Sequence, residues 1–166
     1  MIRYIGVILI VGGTSYIGYS YYNRQLSRER IIAGFIAALE IIESEIMFKL
    51  SPVTDAVLAA GKVSGETSIF FKNLYKSLDE YKIPFCDAWT DGLKHIDMDM
   101  EAKEILSGLS SVIGQYDAEG QRSALAYTGA RLKRRYEQLS EKRKSVGKLY
   151  ITTGFGFGLI LAIVLI

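Results

Sequence analysis

Ile32-Ala33-Gly34-Phe35-Ile36-Ala37-Ala38-Leu39-Glu40-Ile41-Ile42-Glu43-Ser44-Glu45-Ile46 is the stretch that decides the fold. Ile32, Phe35, Leu39, Ile42 and Ile46 recur at intervals of three and four, which lines them along one face of a helix. No helix breaker separates this seam from the chain before it. Leu125, Leu132, Leu139 and Val146 form a matching stripe at intervals of seven near the other end. Alternating strand patterns and Asn-Gly or Asp-Gly hairpin signals are absent from the sequence. The expectation is an all-α protein whose residues 4–48 and 118–166 form two long helices.

Both long helices run into segments with no charge. Tyr4 to Asn23 is 20 positions without Asp, Glu, Lys or Arg, and Leu149 to Ile166 is 18. About 20 predominantly apolar residues cross a bilayer core as a helix. Residues 1–23 and 149–166 are therefore expected to be transmembrane helices. A cleaved signal peptide is the rival reading of the first. The missing small-x-small cleavage site and the tyrosines Tyr16, Tyr19, Tyr21 and Tyr22 favour an anchor with an aromatic belt. Gly154-Phe155-Gly156-Phe157-Gly158 has the small-xxx-small spacing that lets membrane helices approach closely, although glycine is also simply tolerated there.

Arg24, Arg28 and Arg30 follow the first segment. Arg131, Lys133, Arg134, Arg135, Lys142, Arg143, Lys144 and Lys148 precede the second, and only Arg3 lies beyond either. Basic loops stay in the cytoplasm, so residues 24–148 are expected to be a cytosolic domain with both termini outside. The single cysteine, Cys86, fits a reducing compartment and excludes an internal disulfide. The whole-chain charge of +2 argues against a general nucleic-acid binder. It hides a division: residues 24–121 hold ten Lys/Arg and sixteen Asp/Glu, and residues 122–148 hold nine and two. The mean hydropathy of +0.18 likewise comes largely from the two ends.

Within the domain, Ser51-Pro52 reads as a helix restart, with Ser51 as the cap, Pro52 at the first helical position and Asp55 in the first turn. Residues 61–65 read as a turn. Phe70, Phe71, Leu74, Leu78 and Tyr81 mark a helix that Ile83-Pro84 ends. Phe85, Ala88, Trp89, Gly92 and Leu93 mark the next. Ile105, Leu106, Leu109, Val112 and Ile113 mark a fifth, entered through Asp97 and Asp99, and the last helix starts near Asp117. The expected architecture is a cytosolic bundle of about six helices between the two membrane helices.

Catalytic and metal motifs are missing. There is no Walker A, HExxH or Gly-x-Ser-x-Gly, and the lone His95 reads as a surface or helix-end residue. Asp97-Met98-Asp99-Met100-Glu101 lacks the glycine and distal glutamate of a calcium loop, so its acids read as a helix start. Trp89 reads as a core anchor. No catalytic residue, cofactor or metal ligand is expected. Two features suit binding: the carboxylates Glu40, Glu43 and Glu45, and the basic run 131–148, which suits anionic lipid, an acidic partner or a topology signal.

Ile42-Glu43-Ser44-Glu45-Ile46-Met47-Phe48-Lys49-Leu50-Ser51-Pro52-Val53 resembles the Leu-Glu-x-Glu-Ile-x-Tyr-x-x-Thr-Pro-Leu segment of the stage III sporulation protein AB family. Ala88-Trp89 with Leu93, then Leu106, Leu109, Gly114, Asp117, Gln121 and Lys148-Leu149-Tyr150 follow in the same order. Phe48, Ser51 and Tyr116 depart from the pattern. The resemblance implies a non-enzymatic platform of the endospore-forming apparatus that joins mother cell and forespore. It implies a domain similar to the cytoplasmic domains of the type II secretion inner-membrane platform. The implied partners are a cytosolic secretion-type ATPase and other membrane proteins of that complex, with no nucleic acid, and the implied place is the cell membrane on the mother-cell side. Glu43, Glu45, Phe48, Ser51, Pro52, Arg131, Arg134 and Arg135 are the expected partner faces. Lys142, Arg143, Lys144 and Lys148 are expected to meet lipid or set topology. An anionic-lipid-binding membrane module of other purpose is the alternative.

Overall fold

Ile32, Phe35, Leu39, Ile42 and Ile46 are all buried in the computed structural model, so the seam faces a core along its whole length. The structure describes the backbone of residues 2–165, and the side chains of Gly13, Tyr16 and residues 19–145. Its elements run α1 (Ile2–Phe48), α2 (Val53–Ala60), α3 (Glu66–Asp79), α4 (Phe85–Lys94), α5 (Met100–Ser107), a 3-10 turn (Gly108–Ser111) and α6 (Ala118–Leu165). Among the described residues every regular element is helical.

The chain divides into two units, Arg28–Glu137 and Met1–Ser27 with Gln138–Ile166. The first holds an aromatic centre. Phe35 of α1 lies 5.0 Å from Phe70, which lies 5.2 Å from Trp89 nearly edge-on. Phe71 and Phe85 complete the cluster, Phe85 stacking on Trp89 at 5.3 Å. Such pairs add about 0.5–1.5 kcal/mol each beyond area burial. The Trp89 indole N–H donates to the Leu106 carbonyl at 2.9 Å, so its polar atom is satisfied inside the core. Leu125 and Leu132 bring α6 into this core, and Leu139 is half-buried; Val146 of the same stripe lies outside the described side chains.

Two glycines set packing distances that the hydrophobic pattern does not reveal. A Cβ on Gly34 would lie 2.5 Å from Thr67 Oγ1, so α3 approaches α1 only because that position is bare. Thr67 Oγ1 donates to the Ile31 carbonyl at 3.2 Å in the same buried contact. A Cβ on Gly92 would lie 2.7 Å from the Phe70 ring.

Helix ends differ from expectation in two places. Ser51 is not the cap of α2. Pro52 occupies that position without a side-chain cap bond, and the Ser51 hydroxyl donates instead to Glu45 Oε2 at 3.0 Å. The fifth helix does not run through Ile113: α5 stops at Ser107 and tightens into the 3-10 turn. Ser107 and Ser110 hydroxyls donate to carbonyls three residues back, at 2.8 and 2.7 Å, which favours the tighter winding. The Ile83-Pro84 stop has a twin at Ser51-Pro52. In each, a residue of left-handed φ, Leu50 at 53° or Lys82 at 51°, precedes an N–H that reaches back six residues. These bonds are Ser51 to Glu45 and Ile83 to Ser77, both 3.0 Å.

The expected membrane helices, residues 1–23 and 149–166, fall in α1 and α6, but most of their side chains lie outside the described residues. Among the described residues no helix is long and apolar enough to cross a membrane.

Candidate functional site

The end of α1 carries five of the expected partner residues. Glu45 organises it. Its Oε1 accepts from Lys49 Nζ at 2.6 Å and its Oε2 from the Ser51 hydroxyl at 3.0 Å. Those two donors hold the carboxyl below its usual range against a smaller opposing effect of burial. The carboxylate therefore folds the chain after α1 back on itself. Phe48 and Leu50 are left 85% and 80% exposed, and Pro52 is exposed between them and α2. An isolated exposed apolar side chain is ordinary, but two at a helix end, one of them a left-handed leucine, are not. Glu43 is half-buried and faces Arg122 of α6 at 3.7 Å.

The basic residues do not behave alike. Arg131 is exposed, with its guanidinium 5.7 Å from the Tyr127 ring centre, and Arg134 is exposed. Arg135 is largely enclosed. Its Nε and Nη2 donate to the two oxygens of Asp99 at 2.8 and 2.9 Å, and its Nη1 lies 2.6 Å from Glu101 Oε2. A bidentate fork of this kind fixes geometry as well as charge. The guanidinium expected to greet a partner is thus engaged within the domain. The Arg135 bonds are the leading cause that holds the Asp99 carboxyl below the usual carboxylate range.

Asp99 also caps α5, accepting from the Ala102 N–H at 3.2 Å, as the acidic helix start led one to expect. Asp97 accepts from Arg28 of α1, Nη2 at 2.6 Å and Nε at 3.1 Å. Ile96 and Met98 are buried alternately with these acids. One four-residue loop therefore grips α1 through Asp97, α6 through Asp99 and the core through Ile96 and Met98. Spacing alone did not reveal the Asp97 and Asp99 partners, which stand 69 and 36 positions away. The alternation of apolar and acidic residues was the one local signal. His95 ends α4 and is exposed, and Trp89 is in the core, both as expected.

In the second unit, Arg143 Nη1 donates to the Tyr22 hydroxyl at 2.8 Å, and its guanidinium carbon lies 5.4 Å from the Tyr22 ring centre. Lys142 and Lys144 on either side are exposed. Lys148 lies outside the described side chains. Among the described residues no group of three His, Cys, Asp or Glu side chains is placed to hold a metal ion.

These features sit in a chain with clear relatives. The stage III sporulation protein AB of Bacillus subtilis (strain 168) is 24% identical over 170 residues, covering 99% of each chain. A solved structure of stage III sporulation protein AB superposes with a TM-score of 0.65 at 22% identity, covering 72% of this chain and 98% of that one, which shows a shared fold. The family described as stage III sporulation protein AB matches residues 3–166, and the chain belongs to that family.

Proposed function

We propose that this protein is a non-enzymatic membrane platform of the sporulation channel apparatus, which docks a cytosolic secretion-type ATPase through the end of α1. In this reading residues 1–23 and 149–166 are the anchors, residues 24–148 face the mother-cell cytosol, and both termini lie outside. The observation that carries the docking is the end of α1. Phe48 and Leu50 stand in solvent while Glu45, Lys49 and Ser51 hold the turn beneath them. Preorganisation of this kind lowers the ordering cost of an interface, and exposed aromatic anchors beside charged groups are what interface centres use. Arg131 and Arg134 remain available as a second face, and Arg135 serves the domain's own structure.

The platform reading also fits a long anchored helix pair with no catalytic constellation in the sequence. Co-purification of the tagged full chain with the ATPase from sporulating cells tests it. Phe48→Asp is expected to abolish recovery, and Glu43→Lys or Arg134→Glu to weaken it. Undiminished recovery with all three would overturn the docking face. Accessibility labelling of each terminus tests the anchors, and a cytosolic N-terminus would contradict the topology.

A further inference from the structure

Charge segregates by structural unit. Residues 1–27 and 138–166 together hold six Lys/Arg and one acid, Glu141, whereas residues 28–137 hold fourteen and seventeen. The basic residues of the first group are concentrated around the Tyr22–Arg143 contact. Arg24 is two residues from Tyr22, and Lys142 and Lys144 flank Arg143. At 1.5 Å rise per residue, all four cations fall within about one helical turn of that contact. Tyr19, Tyr21 and Tyr22 are exposed at the same level and form the end of the uncharged run 4–23.

We propose that Arg24, Lys142, Arg143 and Lys144, framed by Tyr19 and Tyr22, form a binding band for the headgroups of anionic phospholipid. The chemistry is specific to that surface. Phosphodiester oxygens accept hydrogen bonds from guanidinium and ammonium groups, while tyrosine places its ring toward acyl chains and its hydroxyl toward water. Tyr22 accepts one N–H of Arg143 and holds its guanidinium beside the tyrosine ring, and Lys142 and Lys144 on either side are exposed. A soluble acidic partner would need reach across a band backed by an uncharged segment; a bilayer meets both at once. Each basic residue held near such a surface favours anionic lipid. The band deepens the platform reading, because it requires that the uncharged ends enter a membrane.

The test uses the full chain reconstituted in phosphatidylcholine vesicles with 30% phosphatidylglycerol, probed in turn with spin-labelled phosphatidylglycerol and phosphatidylcholine. The protein-restricted spin signal is expected to favour phosphatidylglycerol by about fivefold, roughly the worth of one basic residue at an anionic surface. The triple variant Lys142→Gln/Arg143→Gln/Lys144→Gln is expected to bring the ratio close to one. Lys142→Arg/Lys144→Arg, which keeps the charge, is expected to retain it, and added salt is expected to reduce it. A restricted signal with no preference between the lipids, or a preference that survives the Gln substitutions, overturns the band and leaves the anchors standing. Absence of any restricted signal overturns the anchors and the band together.

Discussion

Arg135 and Asp99 meet in a two-pronged ion pair, at 2.8 and 2.9 Å, that fastens the start of α5 to the middle of α6. Arg28 and Asp97 make the equivalent tie to α1 two residues earlier. The two aspartates thus convert a short loop into a brace between long helices. The Arg28 tie is more exposed than the Arg135 tie, and exposed pairs contribute less.

Neutralising Asp99 separates its two tasks. Asn can still accept from the Ala102 N–H as a cap, but it loses the charge that meets Arg135. Asp99→Asn is expected to destabilise the full chain by about 1–2 kcal/mol at neutral pH, and Asp99→Ala by about 1 kcal/mol more through loss of the cap. Asp99 has an ordinary value of 3.8 and is held lower in the fold, so the unfolded chain binds its proton more readily. Its contribution is complete above about pH 4 and drains away as pH falls through the folded-state value. Urea unfolding followed between pH 7 and 3 should show this loss in the native sequence and a flatter profile in Asp99→Asn. Identical pH profiles would rule the pair out as a stabilising element.

Gly34 offers a second check, on packing. Ala at this position places a methyl 2.5 Å from Thr67 Oγ1 inside the core, where overpacking costs about 1–3 kcal/mol. Thr67→Ala removes that hydroxyl and the bond to the Ile31 carbonyl, and is destabilising in its own right. The double variant is expected to cost less than the sum of the two, by at least about 0.5 kcal/mol, since the residues share one contact. Simple additivity in urea melts would show that α1 and α3 do not meet here.

Trp89 is the sole tryptophan, so its emission reports directly on the aromatic centre. Trp89→Phe leaves the Leu106 carbonyl without its donor and removes part of a buried ring system. The expected loss is about 2–4 kcal/mol, combining an unsatisfied acceptor with a partly filled cavity. In the native protein the emission should be blue-shifted and poorly quenched by acrylamide. Ready quenching in the folded chain would contradict the burial. Thermal melts by circular dichroism measure the variant, which has lost the fluorophore.

What the sequence disclosed and concealed divides by range. The α1 seam was legible because helical period is a local property: five residues announce one face, and all five are buried. Pro52 and Pro84 announced the stops for the same reason. The brace was hidden because Arg28 and Asp97 are brought together only by the packing of the elements between them. The left-handed residues were hidden because the usual marker is glycine, and here the positions hold Leu50 and Lys82. Of the expected partner face, Glu45 to Pro52 form one continuous feature. Arg135 belongs elsewhere, since sequence shows that a residue is basic and not which acid it will find.

Leu50 joins stability and function in one residue, and the two effects are expected to have opposite signs. Its φ of 53° lies where L side chains are strained, at a cost of order 1 kcal/mol, yet it presents an apolar group that is 80% exposed. Leu50→Gly relieves the strain and removes nothing buried, so it should stabilise the chain by up to about 1 kcal/mol, less the added entropy of the unfolded state. Leu50→Val puts a β-branched side chain on the same backbone and should destabilise by a similar amount. If the end of α1 is a docking surface, Leu50→Gly should nevertheless recover less ATPase on co-purification, because the anchor is gone while the turn persists. Greater stability with weaker capture is a combination that a purely structural role does not produce. Unchanged capture by a stabilised Leu50→Gly variant would mean that the leucine is not part of the contact, and the docking face would have to be sought around Arg131 and Arg134.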